Sequence, residues 1–190
     1  MKTALAAVAG LVTLPILTLA VAAGSASPTG ADTTPTRPGG RVDARGTGFG
    51  AAVVTAAETQ LGVPYSWAGG TYTGPSIGVC TSDAGFNDCH IVGFDCSGLA
   101  RYAVYQASGG RIELDHFADT QTRGGTPVPL SALAPGDLIS FTSPGSTVAH
   151  HVVIYAGSGR VVTATESGTL IRIQPLTDWR GELARAARYS

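Results

Sequence analysis

The sequence predicts a single domain that mixes helices with antiparallel strands, and three observations predict it. Residues 96–106 carry Leu99, Tyr102, Ala103 and Gln106 at helical spacing and stop at Gly109-Gly110. Residues 151–165 read as a strand, a glycine turn and a returning strand. The chain from 47 to 190 has the size of one compact domain and no internal repeat.

The elements follow in order. Residues 1–23 combine a basic start at Lys2, an apolar stretch from Ala4 to Leu19 and a small-x-small site at Ala20-Val21-Ala22, the pattern of a secretory signal peptide. No cysteine lies near the cleavage region, which argues against a lipid anchor, so no stable membrane anchor is expected after cleavage. Residues 24–46 are rich in Pro, Thr and Gly without apolar periodicity, and are expected to be a flexible spacer. An Ala-rich helix is expected from Phe49 to Leu61, ending at Gly62. Pro135-Gly136-Asp137 turns into a strand, Leu138 to Phe141, and Leu170 to Gln174 is a further strand. Trp179 to Tyr189 closes the domain and reads as scaffold.

Charge narrows the partners. The chain has 190 residues, 12 Lys+Arg against 13 Asp+Glu, and only 13% charged residues. Without a basic run it lacks the electrostatic footprint that phosphate backbones require, so no nucleic acid is expected. Loss of Lys2 with the signal segment leaves arginine as the only strong cation and moves the net charge from −1 to −2.

Three cysteines in an exported chain leave one sulfur unpaired. Cys80 and Cys89 lie in a Gly-rich insert, residues 73–92, where a bridge closing a short loop would help hold shape, and they are expected to form a disulfide. They should then protect each other from alkylation while Cys96 reacts. Cys80, Cys89 and His90 supply only three candidate ligands, so no metal is expected, and no cofactor.

Cys96 remains. Asp95 is a plausible cap for the helix, which places Cys96 in the first turn, where unpaired N–H groups and a partial positive charge favour a thiolate and could bind an oxyanion. A thiolate nucleophile needs an imidazole beside it and a third group to orient that imidazole. Of His90, His116, His150 and His151, only the last two adjoin a strand run, and alternation lets one of them face Cys96. A three-residue turn centred on Gly157 would place Thr163 directly opposite His151, its hydroxyl able to accept the second imidazole N–H.

Leu61-Gly62-Val63-Pro64-Tyr65-Ser66-Trp67-Ala68-Gly69-Gly70, Phe94-Asp95-Cys96-Ser97-Gly98-Leu99, Leu133-Ala134-Pro135-Gly136-Asp137-Leu138-Ile139-Ser140-Phe141 and His151-Val152-Val153-Ile154-Tyr155-Ala156-Gly157 together resemble, in order, the successive motifs of the NlpC/P60 cysteine peptidases. The resemblance implies a papain-like α+β fold with the nucleophile helix packed on a central antiparallel sheet. It implies hydrolysis of amide bonds in peptidoglycan stem peptides, often next to D-glutamate, by a secreted, wall-associated monomer.

Carried over by residue, the resemblance implies Cys96 as nucleophile, His151 rather than His150 as base and later acid, and Tyr65 as an oxyanion-site hydroxyl beside the Cys96 N–H. Asp95 and Ser97 match substrate-facing positions, with capping an equal role for Asp95. Thr163 falls at the orienting position, where the family commonly has histidine or another polar group; the alternatives are Glu166, a water or no orienter at all. Ala68 stands where glycine is usual. His116 and Gln121 could line the cleft but read better as surface residues. The weak orienter also leaves open an impaired relative that binds wall peptides or another protein, or an amidase acting outside the wall.

Overall fold

The computed structural model describes residues 48–81 and 85–190. The expected signal peptide (1–23) and spacer (24–46) lie outside the described residues. Helix α1 (Phe49–Glu58) opens the domain. The insert begins and ends in a two-stranded ribbon, β1 (Ser76–Ile77) against β2 (Val92–Gly93). Helix α2 (Cys96–Ala107) and the short α3 (Ala118–Arg123) follow. The strands are β3 (Thr126–Val128), β4 (Leu138–Thr142), β5 (His151–Gly157), β6 (Arg160–Thr163), β7 (Arg172–Pro175) and β8 (Leu183–Arg188). They form one antiparallel sheet in the order β3-β8-β4-β5-β6-β7, with the helices beside it in an α+β fold.

Burial divides along the two faces of the sheet because adjacent strand residues point opposite ways. Leu138, Val152, Ile154, Ala156 and Val162 pack with Val53, Val54 and Ala57 of α1 and Leu99, Ala100, Ala103 and Val104 of α2. The small residues on both helices, as the Ala-rich pattern implied, let them lie close to each other and to the sheet. Ile139, Phe141, Val153 and Val161 form the second cluster, with Leu176 and Trp179 from the turn before β8. The turn into β4 is anchored by Asp137, fully buried, which accepts from Arg188 Nε at 2.7 Å and from the Ala134 N–H at 2.8 Å.

The β5–β6 register differs from the one expected. Ile154 opposes Val162, Tyr155 opposes Val161, and an irregularity falls between Tyr155 and Gly157. The turn closes on Ser158-Gly159, with Gly157 opposite Arg160, rather than being centred on Gly157, and together with the irregularity this leaves Thr163 two positions from direct opposition to His151. A shift of two keeps the face, so the threonine still projects on the side of His151.

The expected Cys80–Cys89 bridge is absent: among the described residues all three cysteines are free thiols. The two are nevertheless neighbours. A hydrogen bond from the Cys80 side chain pushes the Cys89 thiol pKa up, and Cys89 Sγ also reaches Asn87 Oδ1 at 3.2 Å. Forming the bond requires an oxidant to take two electrons, and this arrangement is the reduced form.

Candidate active site

Asp95 caps α2 as its position implied. Its Oδ1 accepts from the Gly98 N–H at 2.6 Å and the Ser97 hydroxyl at 3.0 Å, and His116 Nε2 lies 2.9 Å away. Its Oδ2 accepts from the Ala68 N–H at 3.0 Å, tying the Tyr65–Gly70 segment to the helix start. Capping and positioning therefore use both oxygens of this carboxylate. Gly98 is required for the same approach, since a Cβ there would sit 2.1 Å from the Gly69 carbonyl oxygen.

The segment before the insert is held from the other side by Asp88, a buried carboxylate whose Oδ2 accepts from the Trp67 N–H at 2.8 Å and the Ser167 hydroxyl at 2.6 Å. The insert thus roots at the cleft wall, and its Phe86 ring lies 5.9 Å from that of Trp67.

A cavity of about 560 Å³ lies at the start of α2; Tyr65, Asp95, Cys96, Ser97, His116 and His151 are among the residues that line it. His151 shares its side of the sheet with Phe141 and Val153, whereas Cys96 packs with the helix-side cluster. They reach one cavity because each is the first residue of its element, Cys96 of α2 and His151 of β5. The Val152 N–H hydrogen-bonds toward the Cys96 sulfur, joining the start of α2 to the start of β5.

The electrostatics depart from the expected ready-made thiolate. Burial, and then the Asp95 charge, push the Cys96 thiol up to about 12, although the N–H groups of Val152, Ser97 and Cys96 itself pull the other way. Burial, with a smaller contribution from His150, pulls the His151 imidazole down to about 4, against an opposing effect of Asp95. The free pair therefore rests as thiol and neutral imidazole: loss of water outweighs the helix terminus. Tyr65 is buried and its phenol is held protonated, first by burial and, with Cys96 resting as a thiol, next by the Asp95 charge, so it stands as a hydrogen-bond donor.

His151 Nε2 lies 3.1 Å from Thr163 Oγ1, both residues buried, which leaves Nδ1 as the other proton-carrying position of the ring. His150 lies on the rim instead, with Nε2 3.3 Å from Glu182 and Nδ1 3.4 Å from Ser143 Oγ. Glu166 closes a turn with Thr169 and is not among the cavity residues. His116 was expected at the surface but lines the cavity on Asp95. Gln121 is buried behind it, donating to the carbonyls of Ser97 at 2.9 Å and Asp115 at 2.6 Å.

Trp179 was missed altogether. It lines the cavity and lies nearly parallel to His151, ring centres 5.6 Å apart at 17°. The only sequence signal for it was a lone large aromatic in a polar turn, Pro175 to Arg180.

A Cys-His cleft beside a capped helix on an antiparallel sheet is the arrangement of papain-like cysteine peptidases, and the chain belongs to the NlpC/P60 family, whose model matches residues 62–187. It is 41% identical over 124 residues to peptidoglycan endopeptidase RipB of Mycobacterium tuberculosis, a match covering 65% of this chain and 46% of that protein. To peptidoglycan endopeptidase RipA of Mycolicibacterium smegmatis it is 38% identical over 124 residues, 65% of this chain and 22% of that protein. It thus spans less than half the length of these curated relatives. Among solved structures, the peptidoglycan hydrolase RipB of Mycobacterium tuberculosis superposes with a TM-score of 0.61 at 36% identity, over 78% of this chain and 67% of that one. RipD of the same organism, described as a non-catalytic NlpC/p60 domain protein adapted to peptidoglycan binding, superposes with a TM-score of 0.62 at 28% identity, over 76% of this chain and 99% of that one.

Proposed function

We propose that this protein is an exported cysteine endopeptidase that cleaves amide bonds in peptidoglycan stem peptides, next to D-glutamate. The observation that carries this reading is the single cavity lined by Cys96, His151 and Tyr65, with Thr163 on the far nitrogen of the imidazole. RipA and RipB, named peptidoglycan endopeptidases, supply the substrate class. Export rests on the signal-like residues 1–23.

In this mechanism the Cys96 S–H proton passes to His151 Nδ1 as the sulfur attacks the carbonyl carbon, so thiolate and imidazolium form only on the reaction path. The carbonyl oxygen becomes an oxyanion stabilised by the Cys96 N–H and the Tyr65 hydroxyl. Collapse breaks the C–N bond, and the amine leaves with the proton from His151. His151 then takes a proton from water as its oxygen attacks the thioester carbonyl; the C–S bond breaks, and His151 returns that proton to the Cys96 sulfur.

The test is digestion of purified peptidoglycan by the wild type and by Cys96→Ala, with mass spectrometry of the released muropeptides. Fragments from the wild type alone, ending at D-glutamate, support the reading. A second reading, a wall-binding relative without catalysis, is favoured by the uncharged Thr163 and by the likeness to RipD. Equal release from both proteins, or none from either with retained binding, supports that reading instead.

A further inference from the structure

Thr163 leaves the imidazole under-determined. One hydrogen bond at Nε2 fixes a point on the ring but not its plane, and a hydroxyl brings no charge to support the imidazolium formed during attack. If His151 is the base, something else must hold the ring and support its positive charge.

The aromatic cluster beside it has the right shape. Phe141 is the direct cross-strand partner of His151, and their rings lie 6.4 Å apart at 22°. Trp179, carried by the turn Leu176–Trp179 before β8, lies 5.6 Å from the imidazole at 17° and 5.2 Å from Phe141 at 10°. These separations and near-parallel planes are those of offset stacking. Trp179 is half-buried and belongs to the cavity wall, whereas His151 is only 7% exposed, so the indole stands between part of the ring and solvent.

Resting on the reading of His151 as base, we infer that Trp179 is the positioning residue of the active site: its indole face fixes the plane of the His151 ring, shields it from water and supports the imidazolium, doing the work Thr163 cannot. An indole face attracts a cation more strongly than the other aromatic rings do. Its removal both frees the ring and lets water in. Admitting water relieves the burial that holds His151 low, so its titration moves upward; the lost π contact acts the other way but is the smaller effect.

The titratable groups around His151 in the cavity are Cys96 and Asp95 at the start of α2, His116 on Asp95 from the segment before α3, Tyr65 from the segment before the insert, and His150 with its Glu182 on the rim. All are unchanged in the variants proposed.

The experiment compares Trp179→Phe, Trp179→Ala and wild type in the full chain. It measures thermal melting, kcat and KM on soluble stem peptide, and the NMR titration of the His151 ring. For Trp179→Ala we expect kcat to fall about 10- to 100-fold with KM little changed, the scale set by loss of a defined attack geometry. We also expect the His151 midpoint to move upward. Trp179→Phe should recover most of both effects.

A Trp179→Ala protein that melts cooperatively, with kcat within twofold of wild type and an unmoved His151 titration, would overturn the inference. So would Trp179→Phe and Trp179→Ala losing activity equally, since that is what a purely structural side chain predicts. The titration needs no turnover. If the protein proves non-catalytic, an upward shift in Trp179→Ala still supports the positioning contact, and no shift still refutes it.

Discussion

His151 and Thr163 meet at 3.1 Å across a diagonal of the β5–β6 hairpin, not across a directly opposed pair. Diagonal neighbours on one face remain within reach of a long side chain, so the contact survives the altered register. Thr163→Val keeps the shape and removes the hydroxyl, leaving a buried ring nitrogen unpaired. That costs about 1–3 kcal/mol, felt as roughly a 10- to 100-fold loss in kcat/KM if the bond is needed in the transition state. Thr163→Ser should retain most of the activity. Steady-state kinetics on a stem-peptide substrate decides, and a fully active Thr163→Val would remove threonine from the mechanism.

The displaced protonation behaviour of Cys96 and His151 sets a pH window for stability. His151 is lowered from 6.5 to about 4, so between those values the unfolded chain binds the proton that the folded chain refuses, and stability rises with pH. Cys96 is raised from 9.0 to about 12, so above pH 9 the unfolded chain loses a proton the folded one keeps, and stability falls. Melting temperature should therefore form a plateau between about pH 6.5 and 9. In Cys96→Ala the alkaline decline should be shallower, and in His151→Gln the acid decline should be. Melting curves identical in shape for all three proteins would contradict the assignment.

Asp95 opposes the thiolate whose helix it caps. Its charge pushes Cys96 up, second only to burial. Asn is nearly as good a cap, so Asp95→Asn should keep α2 intact while removing the charge, although one side of the amide can no longer accept from Ala68. The pH midpoint for alkylation of Cys96 by iodoacetamide should move down. Asp95→Ala should lower it too, but at a cost of about 1 kcal/mol in stability from the lost cap. A midpoint unchanged in Asp95→Asn would mean the carboxylate does not act on the sulfur.

Much of this domain was legible because local chemistry and tertiary structure agree. The glycine turn at 157–159, the β-branched runs on either side and the Asp95 cap all carry their own conformational signals, and α2, β5 and β6 formed where they imply. Cys96 and His151 could be paired from sequence through their motif contexts. The hairpin register could not be read, because three glycine-rich turn residues do not say where the turn closes, here on Ser158-Gly159 with Gly157 opposite Arg160, and the irregularity between Tyr155 and Gly157 leaves no pattern in the alternation. His116 and Trp179 lie in segments without periodicity, and only the packing of the turn before β8 and the segment before α3 brings them to the cavity.

Ala68 marks a backbone position with a measurable strain. Its φ is 59°, in the left-handed region that side chains with a Cβ adopt at a cost of roughly 1–2 kcal/mol. Glycine avoids that cost but gives back part of it in unfolded-chain entropy. Ala68→Gly should therefore raise the melting temperature by about 2–4 °C, with kcat/KM within about threefold, because the Ala68 N–H keeps its bond to Asp95. A lower melting temperature in Ala68→Gly would show that the loop is not strained at this residue.

The Cys80–Cys89 pair offers a redox test of the cleft rim. The two thiols already interact, and the insert that carries them is fastened to the cleft wall by Asp88 on Trp67 and Ser167. Oxidation therefore closes a short loop between groups that are already neighbours. Under mild oxidant, non-reducing peptide mapping should find Cys80 joined to Cys89, while Cys96, with its thiol held high by burial, stays unbridged and slow to alkylate at neutral pH. Reduction should lower the melting temperature and loosen the insert, read as faster amide exchange around Phe86 and Trp67. If oxidation instead links Cys96 to either partner, or leaves all three thiols free, the rim pair is not a structural bridge.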